Sequence, residues 1–198
     1  MINQHQLADK EHKNTKRMTS MRGYFAIGVE GISKPMNVGN MVRSAHAFGA
    51  SFVFTVAAHP KAGRAPSDTS KTHSQLPFYR WSSVEDMALP ADCVLVGVEL
   101  LDEAINLPSF RHPAKAAYVF GPERGSLSPE MLARCKHTIK IPTSFCINVA
   151  TAGSIVMYDR VTSLGSFARR PTMPGQAPEA LKEHVQGGPR IRTKPSEA

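Results

Sequence analysis

The chain has 198 residues, 41% of them hydrophobic, enough for one core-forming domain with flanking segments. Its 24 Lys and Arg against 16 Asp and Glu leave a net charge of +8, which favours a polyanionic partner over an acidic one. Cys93, Cys135 and Cys146 are scattered with no Cys-x-x-Cys pair, which argues against a disulfide framework or a structural zinc and for a reducing compartment.

In chain order, residues 1–22 are polar, lack a signal-peptide core and read as a flexible basic segment. Residues 25–29 read as a buried strand and 33–36 as a turn. A helix is expected over 37–48, with Val38, Met41, Val42 and Ala45 on one side and Gly49 ending it. Residues 52–56 form the next strand. The stretch 59–70 is rich in Pro, Gly, Ser and basic residues; Lys61, Arg64 and the following Lys71 suit it to RNA contact. A strand at 78–81, a short helix at 84–88 and strands at 93–98 and 116–120 follow. A helix at 129–134, a strand at 138–141 and a helix at 148–164 complete the series. Strands alternating with helices predict an α/β domain over 23–166, with a mainly parallel sheet and helices on both faces. Residues 167–198 are Pro-rich and basic, and read as a disordered tail. No apolar run reaches the length of a membrane span and no His-Glu-x-x-His is present. A cytoplasmic protein without membrane or metal is therefore expected.

Three segments, each following an apolar stretch, carry polar groups that a simple turn does not need. They are Asn37-Val38-Gly39-Asn40-Met41-Val42-Arg43, Gly121-Pro122-Glu123-Arg124-Gly125-Ser126-Leu127-Ser128 and Ile141-Pro142-Thr143-Ser144-Phe145-Cys146-Ile147-Asn148-Val149. Open α/β sheets build ligand sites where strands give way to helices. Neither Gly-x-Gly-x-x-Gly nor Gly-x-x-x-x-Gly-Lys-Ser/Thr occurs, so a dinucleotide fingerprint and a P-loop are both missing.

Asn37, Gly39 and Arg43, then Gly121, Glu123, Gly125 and Leu127-Ser128, then Ile141-Pro142, Asn148-Val149 and Tyr158-Asp159 occur in that order. This series resembles the motifs of the SpoU/TrmH branch of the SPOUT superfamily of RNA methyltransferases, over about residues 24–165. The resemblance implies a trefoil knot in the C-terminal half, S-adenosylmethionine held there, and a homodimer. It implies transfer of a methyl group to a ribose 2′-hydroxyl of tRNA or rRNA.

The same resemblance places Arg43, Asn37, Glu123 and Asn148 in the catalytic group. A guanidinium loses its proton only above pH 12. Arg43 is therefore expected to hold a phosphate and steady the forming alkoxide; a surface or capping arginine is the plain alternative. Glu123 would cap nearby helix starts or orient Arg43. Asn148, at the start of the last helix, is a capping residue by position; the resemblance adds contact with substrate or with the methionine part of the cofactor. Val98, Glu99, Gly121, Gly125, Ile141, Cys146 and Ile147 are expected to line the cofactor pocket. The glycines would allow close backbone approach and the aliphatic groups would wall an adenine. The small-residue helix 149–158 is either a dimer face or core. Cys146 stands where the family commonly has serine, and the loop 142–146 is shorter than in many members. Those departures keep open a non-catalytic RNA-binding protein on the same fold; an RNA base methyltransferase is a third reading.

Overall fold

The computed structural model describes residues 23–64, 76–165 and 167–179. The expectations for residues 1–22, Lys71 and 180–198, and for the Arg64 side chain, fall outside that description.

The apolar runs pair as seven parallel strands: β1 (Tyr24–Glu30), β2 (Phe52–Val56), β3 (Phe78–Trp81), β4 (Val94–Val98), β5 (Ile105–Asn106), β6 (Lys115–Phe120) and β7 (His137–Lys140). Their order across the sheet is β3-β2-β1-β6-β4-β7-β5. A parallel sheet must be covered on both faces, so its inner strands read as continuous apolar runs rather than alternating ones. Here β2 is buried throughout, and β6 after its first residue.

Two core clusters follow from strand parity. Phe25, Ile27 and Val29 of β1 face the side covered by α1 (Pro35–Ala47) and α3 (Val149–Leu164). Ala26, with Phe52 and Phe54 of β2, faces the side covered by Met131 of α2 (Pro129–Arg134) and the 84–87 turn. Helices lie on both faces, as the alternation predicts.

α1 begins two residues before the expected Asn37, because Pro35 supplies a preset first turn. Gly49, at φ +75°, follows its end. Within α3, Gly153 allows close packing on α1: a Cβ there would stand 2.4 Å from Met41 Sδ. Arg160 of α3 is 1% exposed and fixes the lower end of the helix. It donates to the carbonyls of Pro113 (2.6 Å), Ala114 (2.8 Å) and Tyr24 (3.2 Å), and to the Tyr118 hydroxyl (3.0 Å). Next to it His112 joins the Tyr118 hydroxyl (2.6 Å) to Asp159 (2.8 Å). Burial pulls the imidazole below its ordinary value although Asp159 lies against it.

One local expectation is corrected and two short elements are added. Residues 84–88 form a turn, not a helix, because Arg134 of α2 donates to the Val84 and Met87 carbonyls. The 59–70 stretch contains a 3₁₀ turn at Pro60–Arg64. The two-residue β5 was not expected; among the described residues it pairs with β7 alone, at the sheet edge.

A second unit begins at Phe167. Its described part, 167–179, has no helix or strand; it bends at Gly175 (φ +81°), with Gln176 N–H donating to the Met173 carbonyl at 3.4 Å.

Candidate functional site at the carboxyl edge of the sheet

The loops that leave β1, β6, β4 and β7 emerge side by side at the carboxyl edge, because these four strands are neighbours in that order. This is where open parallel sheets hold ligands. The loops enclose a cavity of about 400 Å³, within the range of small-molecule sites.

Two carboxylates line it, and a third braces the 121–128 loop. Glu123, after β6, accepts from Ser33 N–H (3.0 Å), Ser33 Oγ (3.1 Å), Lys34 N–H (2.9 Å) and Asn37 Nδ2 (3.0 Å). It therefore supplies the start of α1 with the cap that Lys34, the N-cap residue, cannot provide from its own side chain. Burial pushes the Glu123 carboxyl up, but the hydrogen bonds from Ser33, Asn37 and Lys34 outweigh it and hold the group below the usual carboxylate range. Glu99, after β4, accepts from Leu100 N–H (2.9 Å) and Leu127 N–H (2.8 Å). Glu30, at the end of β1, accepts from Ser128 N–H (2.9 Å) and Ser128 Oγ (2.6 Å), while Ser128 Oγ caps α2 through Met131 N–H. The 121–128 loop is thus tied to the start of α1 and to the ends of β1 and β4.

Asn37 is 5% exposed and passes the network on. Its Oδ1 accepts from Asn148 Nδ2 at 3.0 Å, and Asn148 Oδ1 caps α3 through Ala150 N–H (2.9 Å) and Thr151 N–H (3.3 Å). One hydrogen-bonded line, Glu123–Asn37–Asn148, joins residues from all three sequence motifs.

The glycines have separate reasons. A Cβ on Gly121 would stand 3.0 Å from the Leu127 nitrogen and 3.1 Å from the Ser126 carbonyl carbon, so a side chain there would push the 126–127 backbone outward by a few tenths of an ångström. Gly125 has φ +132°, which disfavours a side chain.

Asn37, Val98, Glu99, Gly121, Glu123, Gly125, Ile141, Cys146, Ile147 and Asn148 all line the cavity. Arg43 does not: it lies on the exposed side of α1, six residues beyond Asn37, and Glu123 contacts the start of the helix instead of orienting it. Sequence reasoning missed Glu30, Lys34 and Lys140. Lys34 and Lys140 also line the cavity, and Lys140 Nζ donates to the Leu101 and Asp102 carbonyls, both at 2.9 Å. The one signal for Glu30 was an acid closing an apolar strand. Among the described residues no cluster of three or more His, Cys, Asp or Glu is arranged to hold a metal ion, and no helix is long and apolar enough to cross a membrane.

Sheet, cavity and motif network define an open parallel α/β protein with a motif-lined ligand site at its carboxyl edge. The profile of the SpoU rRNA methylase family matches residues 24–158, and the chain belongs to that family. No curated protein matches it. Among solved structures it is similar in fold to the SpoU methyltransferase AviRb from Streptomyces viridochromogenes, at 22% identity and a TM-score of 0.59, over 75% of this chain and 62% of that one. An AdoMet-bound rRNA methyltransferase from Sinorhizobium meliloti shares 21% identity with a TM-score of 0.65, over 73% of this chain and 58% of that one. A structure described as giving insight into 2-OH methylation of C/U34 on tRNA shares 25% identity with a TM-score of 0.59, over 72% of this chain and 97% of that one. The chain thus spans less than two thirds of the first two proteins.

Proposed function

We propose that this protein transfers the methyl group of S-adenosylmethionine to a ribose 2′-hydroxyl of tRNA or rRNA. The observation that carries the reading is the Glu123–Asn37–Asn148 line, which holds three motifs on one wall of a 400 Å³ cavity. The cavity suits the cofactor. Val98, Ile141 and Ile147 offer apolar walls to a purine, and Asn37, Asn148 and Glu123 make a polar end. When bound, S-adenosylmethionine supplies an electrophilic methyl, so the residues must chiefly align the hydroxyl and steady the charge it develops. Asn37 and Asn148 hold the cavity wall in register. Arg43 is assigned the phosphate next to the target and the forming alkoxide. A ribose acceptor fits the hydroxyl that distinguishes RNA from DNA, and the net charge of +8 fits a polyanion.

The proposal includes a homodimer and the trefoil knot that the family resemblance implies. Ser44 and Ser154 hydrogen-bond at 3.0 Å across the α1–α3 seam, and Tyr158, one turn beyond Ser154, is 56% exposed. This face is assigned to the second copy.

Protein incubated with cellular RNA and labelled cofactor is expected to yield a 2′-O-methylated nucleoside by mass spectrometry; a methylated base would replace the ribose assignment. Arg43→Ala is expected to slow transfer by about 100-fold or more with cofactor affinity unchanged. Unchanged turnover would remove Arg43 from the reaction. Gly121→Ala is expected to do the converse, weakening cofactor binding in a calorimetric titration by displacing the 126–127 backbone.

The position of Arg43 outside the cavity favours one other reading, an RNA-binding protein without catalysis. Saturable binding of S-adenosylmethionine in the same titration speaks against it.

A further inference from the structure

A second cavity, of about 410 Å³, lies at the carboxyl ends of β2 and β3, on the same edge of the sheet. The two cavities are separated by the first turn of α1: Asn37 lines one and its neighbour Val38 lines the other. The walls of the second cavity include Val38, Ala62 and Phe78, and its polar groups include Thr55, His59 and Arg80. Among the described residues no carboxylate lines it, so it suits an anion.

Its construction points to a ligand. Thr55 is 5% exposed and places a hydroxyl-bearing side chain on the cavity wall. The Arg80 guanidinium sits over the Phe78 ring at 4.4 Å, a planar group that can pair with a phosphate through two parallel hydrogen bonds. The 57–62 segment is held firmly beside them. Ala57 has φ +48°, its N–H donates to the Trp81 carbonyl at 3.0 Å, and His59 N–H donates to the Ile32 carbonyl at 2.9 Å. A non-glycine residue in that conformation is strained and persists only where its surroundings impose it.

We propose that this cavity binds one nucleotide of the RNA strand other than the methylated one, with its phosphate on Arg80 and His59 and its sugar or base against Thr55 and the apolar wall. The inference rests on the RNA methyltransferase reading and extends it, since a strand laid along the carboxyl edge reaches both cavities. The cavity would set which nucleotide enters the first, by fixing the register of the strand.

Trp81, the chain's single tryptophan, lines this cavity and reports on its occupancy. Titration with a mixed-sequence pentaribonucleotide pool is expected to change Trp81 emission saturably. Arg80→Ala and Thr55→Val are each expected to weaken that binding by about tenfold, and to raise the KM for RNA while leaving cofactor affinity unchanged. Arg80→Lys is not expected to restore binding, because an ammonium cannot pair with phosphate as a fork. Thr55→Val is expected to keep or raise the unfolding midpoint, which separates a ligand contact from a structural one. Unchanged emission, or full-strength binding by both variants, overturns the proposal. Saturation by uridine monophosphate that RNA does not displace also overturns it, in favour of a free nucleotide. Failure of the wild type to methylate any RNA sinks the enzyme reading alone; the fluorescence titration still decides this site.

Discussion

Replacing Arg160 with alanine is expected to lower the free energy of unfolding by about 3–5 kcal/mol. The guanidinium is 1% exposed and donates to three carbonyls and one hydroxyl, drawn from β1, β6 and the turn before β6. It also lies 5.3 Å from the Phe25 ring centre and 5.8 Å from that of Tyr118. Truncation leaves those acceptors buried without their donor and opens a void beneath two rings. Against a typical domain stability of about 5–15 kcal/mol, the loss is a large fraction of the whole. Arg160→Lys is expected to recover only part of it, since a single ammonium cannot span four acceptors. Urea titrations of both variants provide the check; full recovery by lysine would show that charge, and not the fork geometry, holds α3 in place.

Asn37→Asp is expected to damage the site more than Asn37→Ala. Alanine loses the bonds to Glu123 and Asn148, a change of about 1–3 kcal/mol. Aspartate keeps the acceptor facing Asn148 but turns a carboxylate oxygen toward Glu123, where Asn37 Nδ2 now donates at 3.0 Å. Glu123 is held ionised by its other donors, Ser33 and Lys34. Two carboxylates so close cannot both stay charged cheaply, and one must take up a proton. At neutral pH that proton uptake costs free energy which the wild-type donor–acceptor pair does not, so cofactor affinity is expected to fall further than in the alanine variant. The sign of the pH dependence follows. In wild type, Glu123 titrates below its ordinary value, so its contribution is present above that range and is lost only as pH falls through the lowered value. In the aspartate variant one carboxyl titrates higher, so binding improves as pH falls toward 5. Calorimetric titration with S-adenosylmethionine between pH 5 and 8 measures this; equal affinities for the two variants with no recovery in acid would remove Asn37 from the network.

The parallel architecture was legible because its strands are buried on both faces and appear as unbroken apolar runs, such as Phe52–Val56 and residues 116–120. Asn148 was legible as a cap because capping is local, decided by the next three residues. The 84–88 segment was misread for the opposite reason. Its carbonyls bond to Arg134, 47 and 50 residues away, and no local pattern encodes that. β5 was too short to leave a period, and Glu30 looked like the end of a strand until Ser128 reached it across 98 residues.

Sequence alone determined the class of the fold, the three segments that matter and the family they resemble, since apolar period, capping and motif order are all local or ordinal properties. Tertiary structure decided which of those residues meet. The neighbouring places of β1, β6, β4 and β7 bring Asn37, Glu123 and Asn148 into one hydrogen-bonded line, although 86 residues separate the first two and 111 the first and last. The turn of α1 sends Arg43 to the exposed side and separates the two cavities. Distances of that kind depend on how strands are ordered in the sheet, and strand order is set by the packing of the whole chain.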